Sequence, residues 1–330
     1  MDDLVGMELF REAPRSDLVG LAETLTCQRY AAGEVIFGQG DIGDSFVLVT
    51  GGLASVSATF GATRLELGNA EPGSILGELS AITGDARRAT VVAVTPVTAA
   101  TGGHDAFDRL LRVPGVRAKL SDMAARRLAE SARMVPVVLA DGTDAVIRPL
   151  LARDRTEFES TLLHQPEEWL YQRFFSGGRP SPAIVHYLSQ IDYLMHFAWI
   201  VAIQDPPEGI AVGRFIRSAE QPSTAEVAFE VRDDWRRQGL GTLLLGAVAV
   251  AAERAGLAAL RAETLSDNLA MQHTARRAGA KWTRTDGGVL ETTLPVADAA
   301  ALLVPELRVQ LGDVAEAIVT GAGLALFSSV

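Results

Sequence analysis

The sequence predicts a two-domain α+β chain: an N-terminal β-roll with flanking helices, then an α/β domain built on a mixed sheet, then a helical tail. Three observations predict it. From Thr26 to Val91 short apolar runs are cut by glycine turns at Gly33, Gly40, Gly51-Gly52, Gly68 and Gly73, the spacing of a small antiparallel roll. From Asp144 onward period-two strands alternate with helical patterns. At 330 residues the chain is long enough for two separate cores.

Composition narrows the function classes. Hydrophobic residues make up 48 % and charged residues 22 %, as in a globular protein. The formal net charge of −11 argues against a nucleic-acid partner, because phosphate contacts need a basic face. Cys27 is the only cysteine, so neither an internal disulfide nor a multi-cysteine metal site is expected, and a reducing cytoplasm fits. His164, His186, His196 and His273 have no metal-ligand spacing, and no metal is expected. No secretory signal is expected, and the apolar run from Ala315 to Phe327 is too short to span a bilayer and contains Glu316. The expectation is a cytoplasmic protein with no membrane partner. Lysine is rare, with only Lys119 and Lys281.

Residues 1–24 read as short helices, with Ser16 as the N-cap of a helix through Ala22. Ala31 to Asp41 reads as one strand and Phe46 to Val56 as another. The run from Gly73 to Val91 places one short helix between strands, with Glu78 directly after Gly77 and Arg87 nine residues on. A cyclic nucleotide needs a cation and helix-terminal N–H groups for its ring phosphate, and a carboxylate for its ribose 2′-hydroxyl. Arg87 and Glu78 can supply these; alternatively the Arg87-Arg88 pair only matches surface acids such as Asp85. The run resembles the phosphate-binding cassette of cyclic-nucleotide-binding domains, a likeness extending over residues 10–133. It implies a cAMP site at Gly77, Glu78, Leu79, Ser80, Arg87 and Arg88. Arg88 departs from the small or hydroxyl residue usual there and leaves the choice between cAMP and cGMP open. Asp105 to Arg112 and Val116 to Arg133 read as helices; in this family the second lids the nucleotide, which makes Arg127 a contact or else a surface ion-pair former. A helix-turn-helix does not follow. Met134 to Thr143 reads as a proline-marked linker and hairpin.

In the second half, Asp144 to Asp154, with its Arg148-Pro149 pair, resembles the first strand of an N-acetyltransferase, which implies a helix starting at an acid after that pair. Trp169 to Phe175 and Ala183 to Ile191 read as helices. Ala198–Ile203 and Ile210–Arg217 read as paired strands joined by Asp205-Pro-Pro-Glu-Gly209. Thr224 to Val231 is a strand, in which Val227, Phe229 and Val231 alternate with Glu226 and Glu230. Arg236-Arg-Gln-Gly-Leu-Gly241 then leads into a helix. Such a turn lets backbone N–H groups meet an anion at the positive helix end, or is an ordinary turn of small residues. Leu257–Thr264, Asn268–Ala278 and a closing hairpin of Ala280–Thr285 with Val289–Leu294 complete the order β-α-α-β-β-β-α-β-α-β-β.

That order and that loop resemble the GNAT-superfamily N-acetyltransferases, which bind acetyl-CoA. The resemblance implies Glu226 as general base, with Glu230 its rival on the same face. It implies backbone donors from Phe229 through Glu230 to Val231 for the thioester oxygen, and Arg236, Arg237, Gln238, Gly239, Leu240, Gly241 and Thr242 around the pyrophosphate. Asn268 matches the asparagine on the pantetheine side, and Arg277 is within reach of a coenzyme phosphate. The last helix lacks the tyrosine general acid common in the family, so the thiol, with a pKa of about 8.5, departs with little help.

Taken together the chain resembles the cyclic-AMP-regulated protein lysine acetyltransferases of mycobacteria. The resemblance implies acyl-CoA synthetases, notably acetyl-CoA synthetase, as protein substrates. The expected organisation is a regulatory domain at 1–133, a linker at 134–143, a catalytic domain at 144–295 and a tail at 296–330. Residues 155–175 and the tail are candidates for a segment that blocks the acceptor site until nucleotide binds. The alternatives are a nucleotide-gated small-amine acetyltransferase and a non-catalytic sensor.

Overall fold

A computed structural model describes the chain apart from residues 1, 61–62, 165–167, 169, 172–174, 176–178, 206, 286–287 and 328–330. It forms two compact units, Met1–Ala124 with Gly321–Val330, and Ala125–Thr320.

The first unit opens with helices α1 (Asp2–Val5) and α2 (Arg15–Ala22). Ser16 is not the cap expected of it: Pro14 holds the N-cap position and the helix starts two residues earlier, at Arg15. Strands β1 (Thr26–Tyr30), β2 (Val35–Phe37), β3 (Ser45–Gly51), β4 (Ala54–Phe60), β5 (Thr63–Ala70) and β6 (Ile75–Leu76) follow. Then come helix α3 (Glu78–Thr83), strands β7 (Thr90–Ala93) and β8 (Val97–Gly103), helix α4 (His104–Arg112) and helix α5 (Val116–Glu130), whose residues from Ala125 on are counted with the second unit. The strands form two four-stranded sheets, ordered β1-β8-β3-β6 and β2-β7-β4-β5, with antiparallel pairing, which is the expected roll. The run from Phe46 to Val56 is two strands rather than one, because the chain turns at Gly51-Gly52, and the 31–41 stretch keeps only Val35–Phe37 extended.

The unbroken apolar run of β3 has a packing reason. Phe46 and Leu48 face a core shared with α2, α4 and α5, while Val47 and Val49 face the core between the two sheets. A strand buried on both faces needs apolar side chains at every position, not at alternate ones.

The second unit is built on one eight-stranded sheet, ordered β15-β16-β14-β13-β12-β11-β10-β9. Its strands are β9 (Val135–Val138), β10 (Asp144–Pro149), β11 (His196–Gln204), β12 (Pro207–Arg217), β13 (Thr224–Val231), β14 (Ala259–Leu265), β15 (Thr283–Arg284) and β16 (Val289–Pro295). The helices are α6 (Arg155–Leu163), α7 (Pro182–Ser189), α8 (Leu240–Arg254), α9 (Leu269–Arg277), α10 (Val296–Ala300) and α11 (Pro305–Phe327). Among the described residues only the β13–β14 pair is parallel, so the sheet is mixed as expected.

Local chemistry explains several boundaries. Asp154 accepts both guanidinium N–H groups of Arg148, at 2.6 and 2.7 Å, and the Leu151 N–H at 2.8 Å, which turns the chain from β10 into α6. Ser181 caps α7 through the Ile184 N–H at 3.3 Å, with proline in the first turn. The helix expected over Trp169–Phe175 lies largely outside the described residues, as does part of the 205–209 turn. The tail is two helices, since Pro305 restarts it after Ala300. The segment expected as a linker supplies β9, the outermost strand, paired with β10 through Val135↔Ile147 and Asp144↔Val138.

The sheet's two faces are dressed differently. Helix α8 covers one: Gly213 lies beneath Leu244 and Val248, and Trp199 Nε1 donates to the Ala247 carbonyl at 2.9 Å. The other face, carrying Ala198, Ile200 and Val212, packs with Phe158 of α6 and with Val185 and Leu188 of α7.

Candidate functional site

Strands β13 and β14 start as partners and then part. Their parallel register holds only for Thr224↔Ala259, Ala225↔Leu260 and Glu226↔Arg261, although β13 runs on to Val231 and β14 to Leu265. A V-shaped opening follows Glu226. The Arg232 N–H donates to Ile210 O at 3.1 Å, and residues 232 and 210 continue the β12–β13 register. In an antiparallel ladder this phase turns the even-numbered N–H groups of β13 toward β12. The N–H groups of Phe229 and Val231 therefore face the opening. Glu230 differs from its neighbours, since its own N–H points to β12.

Glu226 and Glu230 share a face, but their surroundings separate them. Glu230 is buried and accepts from Arg214 Nη2 at 3.0 Å. Arg214 is itself only 1 % exposed; it donates to the Leu188 carbonyl, lies 3.4 Å from His196 Nε2 and stacks 4.7 Å from the Phe158 ring. The Glu230 carboxylate is thus committed to a permanently charged guanidinium. Glu226 is exposed and stands where the two strands separate. Its register partner Arg261 is held by Glu263 and, at 2.8 Å, by Glu291.

Beyond β13 the chain passes a 3-10 turn at Asp233–Trp235, where Arg236 pairs with Asp233 at 2.7 Å. Arg237 then takes a left-handed backbone with φ 61°, and Gly239 follows at φ 82° as the N-cap of α8. A glycine cap offers no side-chain acceptor, so the first-turn N–H groups from Leu240 to Thr242 stay directed at whatever anion lies ahead of them. Arg277 reaches from α9 to donate to Thr242 Oγ1 at 3.1 Å. Asn268 caps α9 by accepting the Met271 N–H at 3.1 Å. Arg277 therefore meets the loop at Thr242, whereas Asn268 stands at the opposite end of α9.

In the first unit the cassette centres on Arg87, which is 4 % exposed. It donates to Gly77 O and to Ser45 Oγ, each at 3.0 Å, and lies 4.5 Å from the Phe37 ring centroid. Burial pulls its guanidinium below the ordinary value, and the carboxylates of Asp44, Glu78 and Asp41 oppose that pull. Its buried Nε has no hydrogen-bond partner among the described residues, which is what a donor waiting for an anion shows. Gly77 is required here: it has φ 78°, and a Cβ would come 2.3 Å from Arg87 Nη1. Glu78 is 1 % exposed and starts α3, with Leu79 and Ser80 after it. Arg88 is exposed and pairs with Asp85 at 3.1 Å. Arg127, on the stretch of α5 that belongs to the second unit, is half-buried. Sequence reasoning missed Ser45 as a partner of Arg87 and missed Arg214. Only an arginine inside the apolar run of β12 hinted at the latter.

Two family models match this chain: a cyclic nucleotide-binding domain over residues 27–113 and an acetyltransferase (GNAT) domain over residues 145–281. The "Acetyltransferase Pat" of Mycolicibacterium smegmatis is 35 % identical over 318 residues, covering 96 % of each chain. The chain belongs to the Pat acetyltransferase family. A cAMP-dependent protein kinase regulatory subunit from Eremothecium gossypii matches the nucleotide-binding part alone, at 34 % identity over 33 % of this chain and 23 % of that protein. A solved structure of a cAMP-binding acyltransferase from Mycobacterium smegmatis aligns over 97 % of this chain and 96 % of that one, at 32 % identity and a TM-score of 0.48. As a Pat-family acetyltransferase the chain joins a cyclic nucleotide-binding domain to a GNAT domain. Among the described residues no helix is long and apolar enough to cross a membrane, and no group of three His, Cys, Asp or Glu side chains could hold a metal ion.

Proposed function

We propose that this chain is a cAMP-regulated protein lysine acetyltransferase that works in the cytoplasm, takes acetyl groups from acetyl-CoA, and modifies acyl-CoA synthetases such as acetyl-CoA synthetase. The observation that carries the catalytic reading is the parting of β13 and β14 immediately after an exposed Glu226. A lysine ammonium has an ordinary pKa of about 10.4, so a proton must leave before attack. Glu226 accepts it. The Phe229 and Val231 N–H groups hold the charge that gathers on the thioester oxygen. The loop from Arg236 to Thr242 with Arg277 grips the pyrophosphate, and Asn268 borders the pantetheine. Glu230 serves instead as the buried partner of Arg214.

Cyclic AMP would sit on the cassette, its phosphate taking the Arg87 Nε–H and the first N–H groups of α3 and its ribose facing Glu78. For regulation, nucleotide must favour the active arrangement, and a nearly complete switch needs roughly 10⁴-fold preference. Residues 155–175 and the tail are the two candidates for a segment that blocks the acceptor site without nucleotide. Acetyl transfer to a purified acyl-CoA synthetase, measured with and without cAMP, tests the reading. Site-specific lysine acetylation that rises with cAMP is expected. Its absence, alongside rapid acetylation of a polyamine, would favour the small-amine reading.

A further inference from the structure

The coenzyme loop is clamped from outside by the turn between β9 and β10. Gln238 sits between two left-handed residues, Arg237 at φ 61° and Gly239 at φ 82°. Its side-chain Oε1 accepts the Asp141 N–H at 3.1 Å, and its main-chain carbonyl accepts the Ala140 N–H at 3.4 Å. The turn that offers these donors is itself built. Leu139 N–H donates to Thr143 O at 2.9 Å, Gly142 N–H to Leu139 O at 3.0 Å, and Thr143 N–H to Asp141 Oδ1 at 2.9 Å. The last bond also holds the exposed Asp141 carboxyl below its ordinary value, so the turn keeps its shape with that group charged.

A non-glycine residue at positive φ persists only where its surroundings over-determine it. Arg237 has such surroundings on its C-terminal side. Gly239 and the start of α8 hold it there, and two turn donors converge on the residue between. The Arg277–Thr242 bond braces the helix start from α9. The loop is thus held between α9 and the β9–β10 turn.

We propose that Gln238 is a positioning residue for the coenzyme: by accepting the Asp141 N–H it fixes the backbone of residues 237–239 and pre-orients the N–H groups that receive the pyrophosphate. This rests on the placement of acetyl-CoA at the loop given above. Order in the loop before binding lowers the entropy lost on binding, so the effect falls mainly on coenzyme affinity. The same bond makes the 139–143 turn respond to coenzyme although it carries none of the groups assigned to binding.

The test uses the full chain at saturating cAMP and compares wild type, Q238M and Q238E. Methionine keeps the length of the side chain and loses the acceptor; glutamate keeps the acceptor. Steady-state kinetics in acetyl-CoA are measured beside hydrogen exchange of segments 139–143 and 236–242, with and without the coenzyme. The expected result for Q238M is a KM for acetyl-CoA raised about tenfold, with more of the loss in KM than in kcat. Amides of 139–143 should exchange at least tenfold faster, and the coenzyme should slow them in wild type but not in Q238M. Q238E should restore most of the protection at 139–143. An unchanged KM for Q238M overturns the proposal. So does a raised KM with normal exchange at 139–143, which would mean that Gln238 touches the coenzyme directly. A wild-type chain in which coenzyme protects neither segment overturns the placement of acetyl-CoA itself, and this proposal with it.

Discussion

The nucleotide cassette and the coenzyme loop begin with the same device. Each has a left-handed glycine, Gly77 at φ 78° or Gly239 at φ 82°, starting a helix whose first N–H groups have no side-chain cap. They differ in their cations. Arg87 is buried among carboxylates, with both terminal nitrogens bonded and one buried donor left over. Arg236, Arg237 and Arg277 are exposed. Desolvated, charge-assisted bonds are strong and geometrically exacting, whereas exposed charges are screened and individually weak. One site is therefore suited to selecting a small effector. The other is suited to holding the polyanionic end of a co-substrate that must also leave.

Substitutions can break that comparison. The largest effect is expected at the one group with no counterpart in the cassette: Glu226→Gln should lower kcat for acetyl transfer by about 10²- to 10⁴-fold with a nearly unchanged KM for acetyl-CoA. Steady-state kinetics at saturating cAMP would check it, and full activity would remove Glu226 as the base. Next, Arg87→Gln should weaken cAMP binding by at least about 10²-fold in calorimetry and lower the melting temperature of the nucleotide-binding unit, because buried Glu78 loses its cation. A variant with normal affinity would make Arg87 merely structural. Arg277→Ala should raise the KM for acetyl-CoA only about three- to tenfold, and the difference should shrink in high salt. Salt-independence there would mean a desolvated contact like that of Arg87. Arg88→Ala should change cAMP affinity least, within about twofold, because its charge is spent on exposed Asp85.

Much of this protein was legible from local pattern. Alternation in Thr224–Val231, the glycines at 239 and 241, and the Gly77-Glu78…Arg87 spacing all act within about fifteen residues of chain, and each placed its element correctly. Local pattern failed where neighbours competed. Ser16 resembled a cap, but Pro14 already began the turn; Phe46 to Val56 was apolar enough to read as one strand, although the chain folds back at Gly51-Gly52. The extent of the tail helices followed from the proline at 305 rather than from the apolar periodicity that spans it.

The amino-acid sequence by itself determined the two kinds of domain and put two carboxylates on one face of β13. Those depend on side-chain type and short spacing. Tertiary structure alone gave the two carboxylates different surroundings, because Arg214 lies 16 residues from Glu230 and 12 from Glu226 yet pairs across the ladder with Glu230. It alone parted β13 from β14, and it alone brought Gln238 to Asp141, 97 residues away. Contacts between strands depend on register and crossover, which no local periodicity encodes.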